Sequence, residues 1–285
     1  MDRFEGKVAV ITGAGSGFGR EFAFKGASLR MKLVLADVDA AALAATVDAA
    51  RTQGAEALAV PTDVSDASQV DALALATLDA FGAVHLLFNN AGVGAGGFVW
   101  ENSAQDWQWV FGVNVMGVVN GLRAFTPIML KQSEPAHIVN TASVAGLLAA
   151  PAMGVYNASK HAVVAITETL YHDLRLAGAS IGVSLLCPAF VPTGIADAER
   201  SRPGALANDA PLTASQKMAA RQLARAVEGG RLSARDVADM TFDAVREGRF
   251  YVITHPNIMP SVHLRLDDIA QLRNPTDPMS LKHRG

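Results

Sequence analysis

The chain has 285 residues, half of them hydrophobic and 18% charged, so it can bury a large core and is not expected to be disordered. Its net charge of −3 gives no electrostatic reason to expect nucleic acid or a membrane as a partner. The single cysteine, Cys187, excludes an internal disulfide and fits a reducing compartment, so a cytoplasmic location is expected.

Short apolar runs alternate with segments of helical periodicity along almost the whole chain. The runs are apolar at consecutive positions, which is typical of parallel strands buried on both faces. They are Val8–Thr12, Leu33–Ala36, Ala57–Pro61, Val84–Asn89, His137–Thr141, Val183–Cys187 and Phe250–Thr254. The segments between them, long enough for crossover helices, include 39–53, 66–81, 104–131, 155–177 and 233–248. This alternation predicts an α/β fold with a doubly wound, mostly parallel seven-stranded sheet.

We expect a single domain over residues 1–285. Residues 190–232 are rich in Ala, Arg, Pro and Gly and look like an insertion, which predicts a substrate lid at about 190–230. The segment at about 256–285 contains three further prolines after Pro256 and is expected to wrap the surface as a tail.

Other features exclude several classes of protein. The N-terminus does not have the basic-then-apolar pattern of a signal peptide. The most apolar stretch, Val144 to Val155, is too short to span a bilayer. The seven histidines are scattered, and no metal site is expected.

A glycine-rich turn joins the first predicted strand to the first predicted helix. Gly13 permits the bend, Gly17 allows the backbone to approach a pyrophosphate, and Gly19 allows close helix packing. A phosphate loop of the GxxxxGK[ST] kind is excluded because no lysine lies in the turn. The alternative is a turn that binds no ligand.

Asp37 ends the second predicted strand, 18 residues after Gly19. A carboxylate near this offset can accept hydrogen bonds from the adenosine ribose hydroxyls and repels a 2′-phosphate. Helix capping is the alternative role, but Asp39 fits that role better. Asp37 therefore predicts NAD rather than NADP as the cofactor.

These motifs resemble those of the short-chain dehydrogenases/reductases. The resemblance rests on TGAGSGFG (12–19), NNAG (89–92), Asn114, Ser143 and YNASK (156–160), and it covers residues 7–195. It implies a Rossmann fold with strand order 3-2-1-4-5-6-7, a nicotinamide cofactor, and hydride transfer at a hydroxyl or carbonyl carbon. It also implies a homodimer or homotetramer.

Tyr156 and Lys160 are four residues apart on a predicted helix and share one face. An ammonium group nearby favours the phenolate, so Tyr156 can act as general base or acid. Ser143 follows the fifth strand and can hold the substrate oxygen. The resemblance implies that Lys160 also binds the nicotinamide ribose and that Asn114 holds a water that connects Lys160 to solvent. Taken alone, each of these residues could equally be structural.

The remaining cofactor contacts follow from position and from the resemblance. Asp63 would meet the adenine amino group, or it is a turn residue. The residues expected to bind NAD are Gly13, Ser16, Gly17, Phe18, Gly19, Asp37, Val38, Asp63, Val64, Asn90, Ala91, Gly92, Tyr156, Lys160, Pro188, Val191 and Thr193.

The loops expected to line the substrate site are mainly apolar, which predicts a lipophilic secondary alcohol or its ketone as substrate. The substrate-binding residues are expected to be Ser143, Leu147, Met153, Tyr156 and Phe190, with Leu148 and Phe98 as further walls. The insertion also carries cations that could bind an anionic group or remain solvated, namely Arg200, Arg202, Lys217 and Arg221.

Two alternatives remain open. An NADPH-dependent carbonyl reductase of the same fold would have a basic residue near the glycines or after the second strand, where this chain has Ser16 and Val38. A non-catalytic nucleotide sensor would be free to lose Asn114, Ser143, Tyr156 or Lys160, and all four are present.

Overall fold

The computed structural model describes residue 1 and residues 3–278 and 280–281. The seven strands are β1 (Val8–Thr12), β2 (Lys32–Asp37), β3 (Ala57–Pro61), β4 (Leu86–Asn89), β5 (Ala136–Thr141), β6 (Ile181–Cys187) and β7 (Tyr251–Ile253). They form one sheet in the order 3-2-1-4-5-6-7, and every pairing is parallel. The predicted doubly wound α/β fold is confirmed.

Helices lie on both faces of the sheet. They are α1 (Gly17–Ser28), α2 (Ala40–Thr52), α3 (Ala67–Phe81), α4 (Ala104–Phe111), α5 (Gly117–Gln132), α6 (Gly154–Leu176), α7 (Ala214–Glu228), α8 (Ala234–Glu247) and α9 (Met259–Ala270). Alternate residues of β1 face opposite layers: Ile11 packs with α1, α2 and α8, whereas Val10 packs with α3, α5 and α6. The apolar runs are therefore continuous because both faces of each strand are covered.

The fourth strand is shorter than predicted. Its run was expected to begin at Val84, but β4 begins at Leu86. The side chain of Gln132 accepts a hydrogen bond from Val84 N at 3.1 Å and donates one to Val84 O at 2.6 Å. These side-chain bonds satisfy the Val84 backbone without a neighbouring strand.

The predicted helix over 104–131 is interrupted by a π-helical turn, Gly112–Met116, which lies between α4 and α5. The stretch Ala104–Gln132 is long and apolar enough to cross a membrane by length and composition, unlike the shorter Val144–Val155. This is weak evidence for a membrane helix, because a core helix of a soluble protein passes the same test. Phe125 and Met129 of α5 are buried against the sheet.

The predicted tail contains a helix, α9. α9 has Pro260 in its first turn, a position where the missing N–H costs no helical hydrogen bond. Asp268 of α9 accepts hydrogen bonds from Arg273 and from Thr276 N, both at 2.9 Å. Residues 282–285, part of the predicted tail, lie outside the described residues.

Candidate active site

The three motif glycines of the turn after β1 lie where a side chain would be strained or would clash. Gly13 has a φ of +65° and Gly17 a φ of +52°, a region that favours glycine. A Cβ on Gly19 would lie 2.1 Å from Gly13 O, so this glycine is needed for α1 to approach the turn. Ser16, the N-cap of α1, makes no side-chain capping bond. The geometry leaves the positive end of α1 facing an open cleft, which fits the phosphates of a dinucleotide.

Asp37 is fixed beside this turn by backbone groups. Its Oδ2 accepts a hydrogen bond from Gly15 N at 2.8 Å, and its Oδ1 accepts one from Asp39 N at 3.0 Å. Asp39 caps α2 through the N–H groups of Ala41 and Ala42, as predicted. Asp37 is therefore held at the cleft rather than used as a cap.

The ends of β1, β4 and β5 are tied together at the same cleft. Asn90 N and Ala91 N donate to Thr12 Oγ1 at 2.9 and 3.1 Å, and Asn90 Nδ2 donates to Thr12 O at 2.9 Å. Asn90 Oδ1 accepts a hydrogen bond from Thr141 Oγ1 at 3.3 Å. These bonds hold the backbone at the carboxyl ends of the strands, where this fold binds ligands.

Asp63 has a structural role as well as a place at the cleft. β3 ends at Pro61, two residues before Asp63, and Asp63 Oδ1 accepts hydrogen bonds from Ser65 N at 2.9 Å and from Ser65 Oγ at 2.7 Å. The side chain nevertheless lines the cavity together with Val64. Both interpretations of Asp63 therefore remain compatible with the geometry.

Three of the four candidate catalytic side chains line one cavity. Lys160 Nζ is buried, lies 5.7 Å from the centroid of the Tyr156 ring, and donates to Thr141 O at 2.9 Å. Ser143 Oγ donates to Pro188 O at 3.3 Å and accepts from Ala145 N at 3.1 Å. The strand ends and the helix α6 thus place a hydroxyl, a phenol and an ammonium group together.

Burial shifts the pKa values of Tyr156 and Lys160. It raises the pKa of Tyr156, and a hydrogen bond with Ser143 acts in the opposite direction. It lowers the pKa of Lys160 to about 8, because a buried ammonium loses its solvation. Lys160 is therefore still mainly protonated at neutral pH.

Asn114 lies in the π-helical turn and is buried. Its Oδ1 accepts from Val93 N at 2.8 Å, and its Nδ2 donates to Val93 O at 2.9 Å and to Ser159 Oγ at 3.0 Å. The position that a Cβ of Gly92 would occupy is 3.4 Å from Asn114 Oδ1 and 3.5 Å from Lys160 Nζ. Asn114 is therefore a rigid neighbour of Lys160 across the backbone of Gly92, at a π-turn of the kind often found at functional sites.

One cavity of about 1570 Å³ contains both the glycine turn and the Tyr156 region. Every residue predicted to bind NAD or to act in catalysis, except Gly19 and Asn114, lines it. The lining includes Leu148, Met153 and Phe190, as predicted for the substrate end. Leu147 and Phe98 do not line it, which corrects the sequence-based expectation. Leu147 packs against the clusters around Val163 and Ile258, and Phe98 stacks on Trp100 at the surface.

The substrate end has a wall that the sequence did not predict. His255, Asn257 and Ile258, which follow β7, line the cavity. Ile258 packs with Leu148 and Val262, so α9 is joined to the loop after β5. Because the tail has no motif, its position could not be read from spacing.

Two groups of contacts attach the 190–230 segment to α4 and to the turn before it. Arg202 pairs with Asp106 at 2.7 Å, and both side chains are about 95% buried (5% and 3% exposed). In the second group, Glu101 accepts hydrogen bonds from Thr213 and Ser215 at the start of α7. Arg202 is therefore a structural partner and is not available to bind an anion.

A second arginine of this segment reaches the glycine turn. Arg200 Nη2 lies 3.4 Å from Ser16 Oγ, and its Nη1 donates to Gly194 O and Asp197 O. This residue lines the cavity, 184 positions away from Ser16 in the sequence. Arg200 is one of the cations of the insertion, but nothing in the sequence indicated this contact.

The family model described as short chain dehydrogenase matches residues 7–204. The chain is 36% identical over 272 residues to the CLA biosynthesis dehydrogenase/reductase of Lactiplantibacillus plantarum, with 95% of each protein covered. It is 31% identical over 265 residues to the 1-deoxy-11-beta-hydroxypentalenate dehydrogenase of Streptomyces exfoliatus, with 92% of this chain and 88% of that enzyme covered.

Solved structures give the same result. A short chain dehydrogenase/reductase from Burkholderia phymatum, solved in complex with NAD, is 70% identical. It superimposes with a TM-score of 0.97 and covers 99% of this chain and 100% of its own. The family match, the strand order and the shared cavity agree with the resemblance found in the motifs. The chain belongs to the short-chain dehydrogenase/reductase family of oxidoreductases.

Proposed function

We propose that the protein is an NAD-dependent oxidoreductase that interconverts a lipophilic secondary alcohol and its ketone. The observation that carries the proposal is the shared cavity, in which Tyr156, Ser143 and Lys160 lie together with the glycine turn and Asp37. A general base, an oxygen-binding hydroxyl and a dinucleotide cradle in one cavity support hydride-transfer chemistry. The NAD bound to the similar Burkholderia protein supports the choice of cofactor.

The cradle fits a nicotinamide dinucleotide. The turn at Gly13–Gly19 would hold the pyrophosphate, Asp37 the adenosine ribose, and Thr193 the nicotinamide end. Lys160 would contact the nicotinamide ribose. When bound, the oxidised nicotinamide accepts a hydride and adds a positive charge to the site.

The residues of the chain then perform the proton chemistry. In oxidation, Tyr156 as phenolate takes the proton of the substrate hydroxyl, and in reduction the phenol returns it. Ser143 Oγ rotates from Pro188 O to hold the substrate oxygen. Burial raises the pKa of Tyr156. The Lys160 ammonium, 5.7 Å from the centroid of the Tyr156 ring, would favour the phenolate against that effect.

Apolar walls support a lipophilic substrate. Leu148, Met153 and Phe190 line the end of the cavity near Tyr156, and we propose that the 190–230 segment closes over it as a lid. Burial of apolar substrate surface contributes about 25 cal/mol per Å² before the costs of binding. The Streptomyces relative, a dehydrogenase named for a hydroxylated compound, fits this class.

A substrate panel tests the proposal. We would compare kcat/KM with NAD for cyclohexanol, larger cyclic alcohols, a sugar and a hydroxy acid. The larger cyclic alcohols are expected to be preferred. Preference for the sugar or the hydroxy acid would overturn the substrate class, and absence of turnover together with tight NADH binding would favour a nucleotide sensor.

Asp37 is expected to favour NAD over NADP by at least ~10-fold in kcat/KM, because its carboxylate repels a 2′-phosphate. Asp37→Ala should narrow this ratio. The matched control is Asp66→Ala, which removes the aspartate that caps α3 and does not line the cavity, and it should leave the ratio unchanged. Equal use of both cofactors by the wild type would contradict the assignment.

An NADPH-dependent carbonyl reductase remains the second candidate, and one observation favours it. The basic residue expected near the glycine turn in such an enzyme is absent from the turn itself, but Arg200 lies beside Ser16. Two measurements distinguish the two candidates. One is the ratio of kcat/KM with NAD to kcat/KM with NADP for Asp37→Ala, and the other is the set of dissociation constants of the Arg200 variants described below.

The pH profile tests the role of Lys160. Removing the ammonium group raises the pKa of the phenol, because an opposite charge that favours the phenolate is lost. Lys160→Ala, assayed at saturating NAD, should therefore shift the rising limb of kcat/KM for oxidation to higher pH by at least about one unit. An unshifted limb would show that Lys160 does not act on Tyr156.

We further propose a homodimer or homotetramer in the cytoplasm. Met116 and Leu130 are exposed apolar residues at the π-turn and on α5, a surplus that suggests a subunit interface. Light scattering at micromolar concentration should give a mass above that of one chain, and a monomer would contradict the assembly.

A further inference from the structure

We propose that Arg200 binds the cofactor pyrophosphate and so couples dinucleotide binding to closure of the lid. This inference rests on the proposed function, since it needs a dinucleotide in the cleft. It assigns Arg200, a residue outside the glycine motif, as part of the phosphate site.

The first argument is the position of the guanidinium group. Its Nη2 is 3.4 Å from Ser16 Oγ, and Ser16 is the N-cap of α1. A helix N-terminus carries a partial positive charge, so a cation beside it is unfavourable unless an anion lies between them. The phosphates of a dinucleotide would satisfy both groups at once.

The second argument is the weakness of the partners that Arg200 has in the chain. Its Nη1 donates to the neutral carbonyl oxygens of Gly194 and Asp197 at 3.0 and 2.8 Å. Its ion pair with the Asp197 carboxylate is long, 3.9 Å, and that carboxylate is 80% exposed. Such an exposed pair contributes little, so the charge of Arg200 is not neutralised by a close acidic partner.

The third argument favours the pyrophosphate over a 2′-phosphate. Asp37, which would hold the adenosine ribose, is bonded to Gly15 N. Arg200 instead lies between Ser16 and Gly194, and the adjacent Thr193 is the residue that a Cβ on Gly17 would meet, at 3.3 Å. Arg200 thus contacts the N-cap of α1, the helix end that would hold the pyrophosphate.

The consequence concerns the lid. Arg200 belongs to the 3₁₀ segment Gly194–Ser201, whose Ile195 and Ala198 line the cavity. A phosphate that bridges Arg200 and α1 would hold this segment against the glycine turn. Cofactor binding would then complete the wall of the substrate pocket, and the cofactor would bind before the substrate.

The experiment compares Arg200→Gln, Arg200→Lys and the control Arg225→Gln, an exposed arginine of α7 that does not line the cavity. Dissociation constants are measured by titration with NADH, NADPH, ADP-ribose and adenosine, the last of which carries no phosphate. We expect Arg200→Gln to raise the dissociation constants of NADH and ADP-ribose by about tenfold, the effect of losing one charge-assisted hydrogen bond. The dissociation constant of adenosine should not change. Arg200→Lys should keep part of the affinity, and Arg225→Gln should match the wild type.

Hydrogen–deuterium exchange of residues 194–206 gives an independent measure of the lid. Saturating ADP-ribose should protect this segment in the wild type but not in Arg200→Gln. Unchanged affinity for NADH and ADP-ribose in Arg200→Gln would overturn the proposal, as would an equal loss for adenosine. A loss confined to NADPH would also overturn it and assign Arg200 to the 2′-phosphate. If wild-type protein failed to bind NADH at all, the proposed function itself would fail first.

Discussion

Replacing Tyr156 with phenylalanine is expected to lower kcat for alcohol oxidation by ~10²–10⁴-fold while NADH still binds. The substitution removes only the phenolic oxygen, the atom proposed to exchange a proton with the substrate. Phenylalanine retains the ring, whose Cδ2 lies 3.5 Å from the position that a Cβ on Gly94 would occupy. Ser143 keeps its bonds to Pro188 O and Ala145 N.

The measurement combines single-turnover kinetics with fluorescence titration of NADH. Tyr171→Phe is the matched control, because Tyr171 lies on the same helix and its hydroxyl accepts a hydrogen bond only from the exposed Arg175 among the bonds described for it. The control should retain wild-type kcat. If Tyr156→Phe retained more than a tenth of the wild-type kcat, another group would have to be the base.

The sequence predicted the sheet and most of the cleft because these depend on local patterns. Each strand is a short apolar run, and the cofactor and catalytic motifs lie at the ends of such runs or on the helices that follow. Parallel strands bring those ends to one edge of the sheet, so linear order was enough to place Asp37, Ser143 and Tyr156 in one cavity.

Contacts between distant segments could not be predicted in this way. Arg202 and Asp106 are 96 residues apart and Arg200 and Ser16 are 184 apart, and no spacing rule joins them. Leu147 was assigned to the pocket because its segment is apolar. The side chain of Leu147, which follows the turn Val144–Gly146, packs against α6 instead. This orientation depends on the path of the backbone rather than on composition.

The attachment of the lid leads to the second large expected effect. Asp106 Oδ1 accepts hydrogen bonds from Arg202 at 2.7 Å and from Asn208 at 2.9 Å, and its Oδ2 accepts one from Ser103 N at 2.9 Å. Burial alone would raise the pKa of Asp106, but these bonds outweigh it and hold the pKa below its usual value. The carboxylate is thus ionised at neutral pH, and its contribution to stability is lost only as the pH falls through this lowered pKa.

Asp106→Ala removes the buried carboxylate partner of Arg202 and leaves the guanidinium with Glu199, a partner 3.1 Å away whose side chain is 64% exposed. The Arg202 Cζ also lies 4.9 Å from the centroid of the Trp109 ring. Breaking a buried ion pair from one side costs ~3–5 kcal/mol. The matched control is Asp71→Ala, which breaks the Arg123 pair at the same 2.7 Å distance but with side chains 49% and 48% exposed. That control should cost less than ~1 kcal/mol.

The free-energy cost of Asp106→Ala can be relieved by local opening instead of global unfolding. Residues 194–208 would detach from α4, and the Arg202 guanidinium would then be solvated. The attachment of α7 through Glu101 remains, so opening is confined to the first half of the lid. We therefore expect a small fall in Tm, faster hydrogen–deuterium exchange over residues 194–208, and a fall in kcat/KM for large alcohols of up to ~10²-fold. The double variant Asp106→Leu with Arg202→Met removes both charges and should recover much of the loss, since apolar pairs of similar volume replace buried ion pairs well. A fall in Tm as large as that of a core variant, without local exchange, would show that this pair stabilises the whole domain and does not hold a lid.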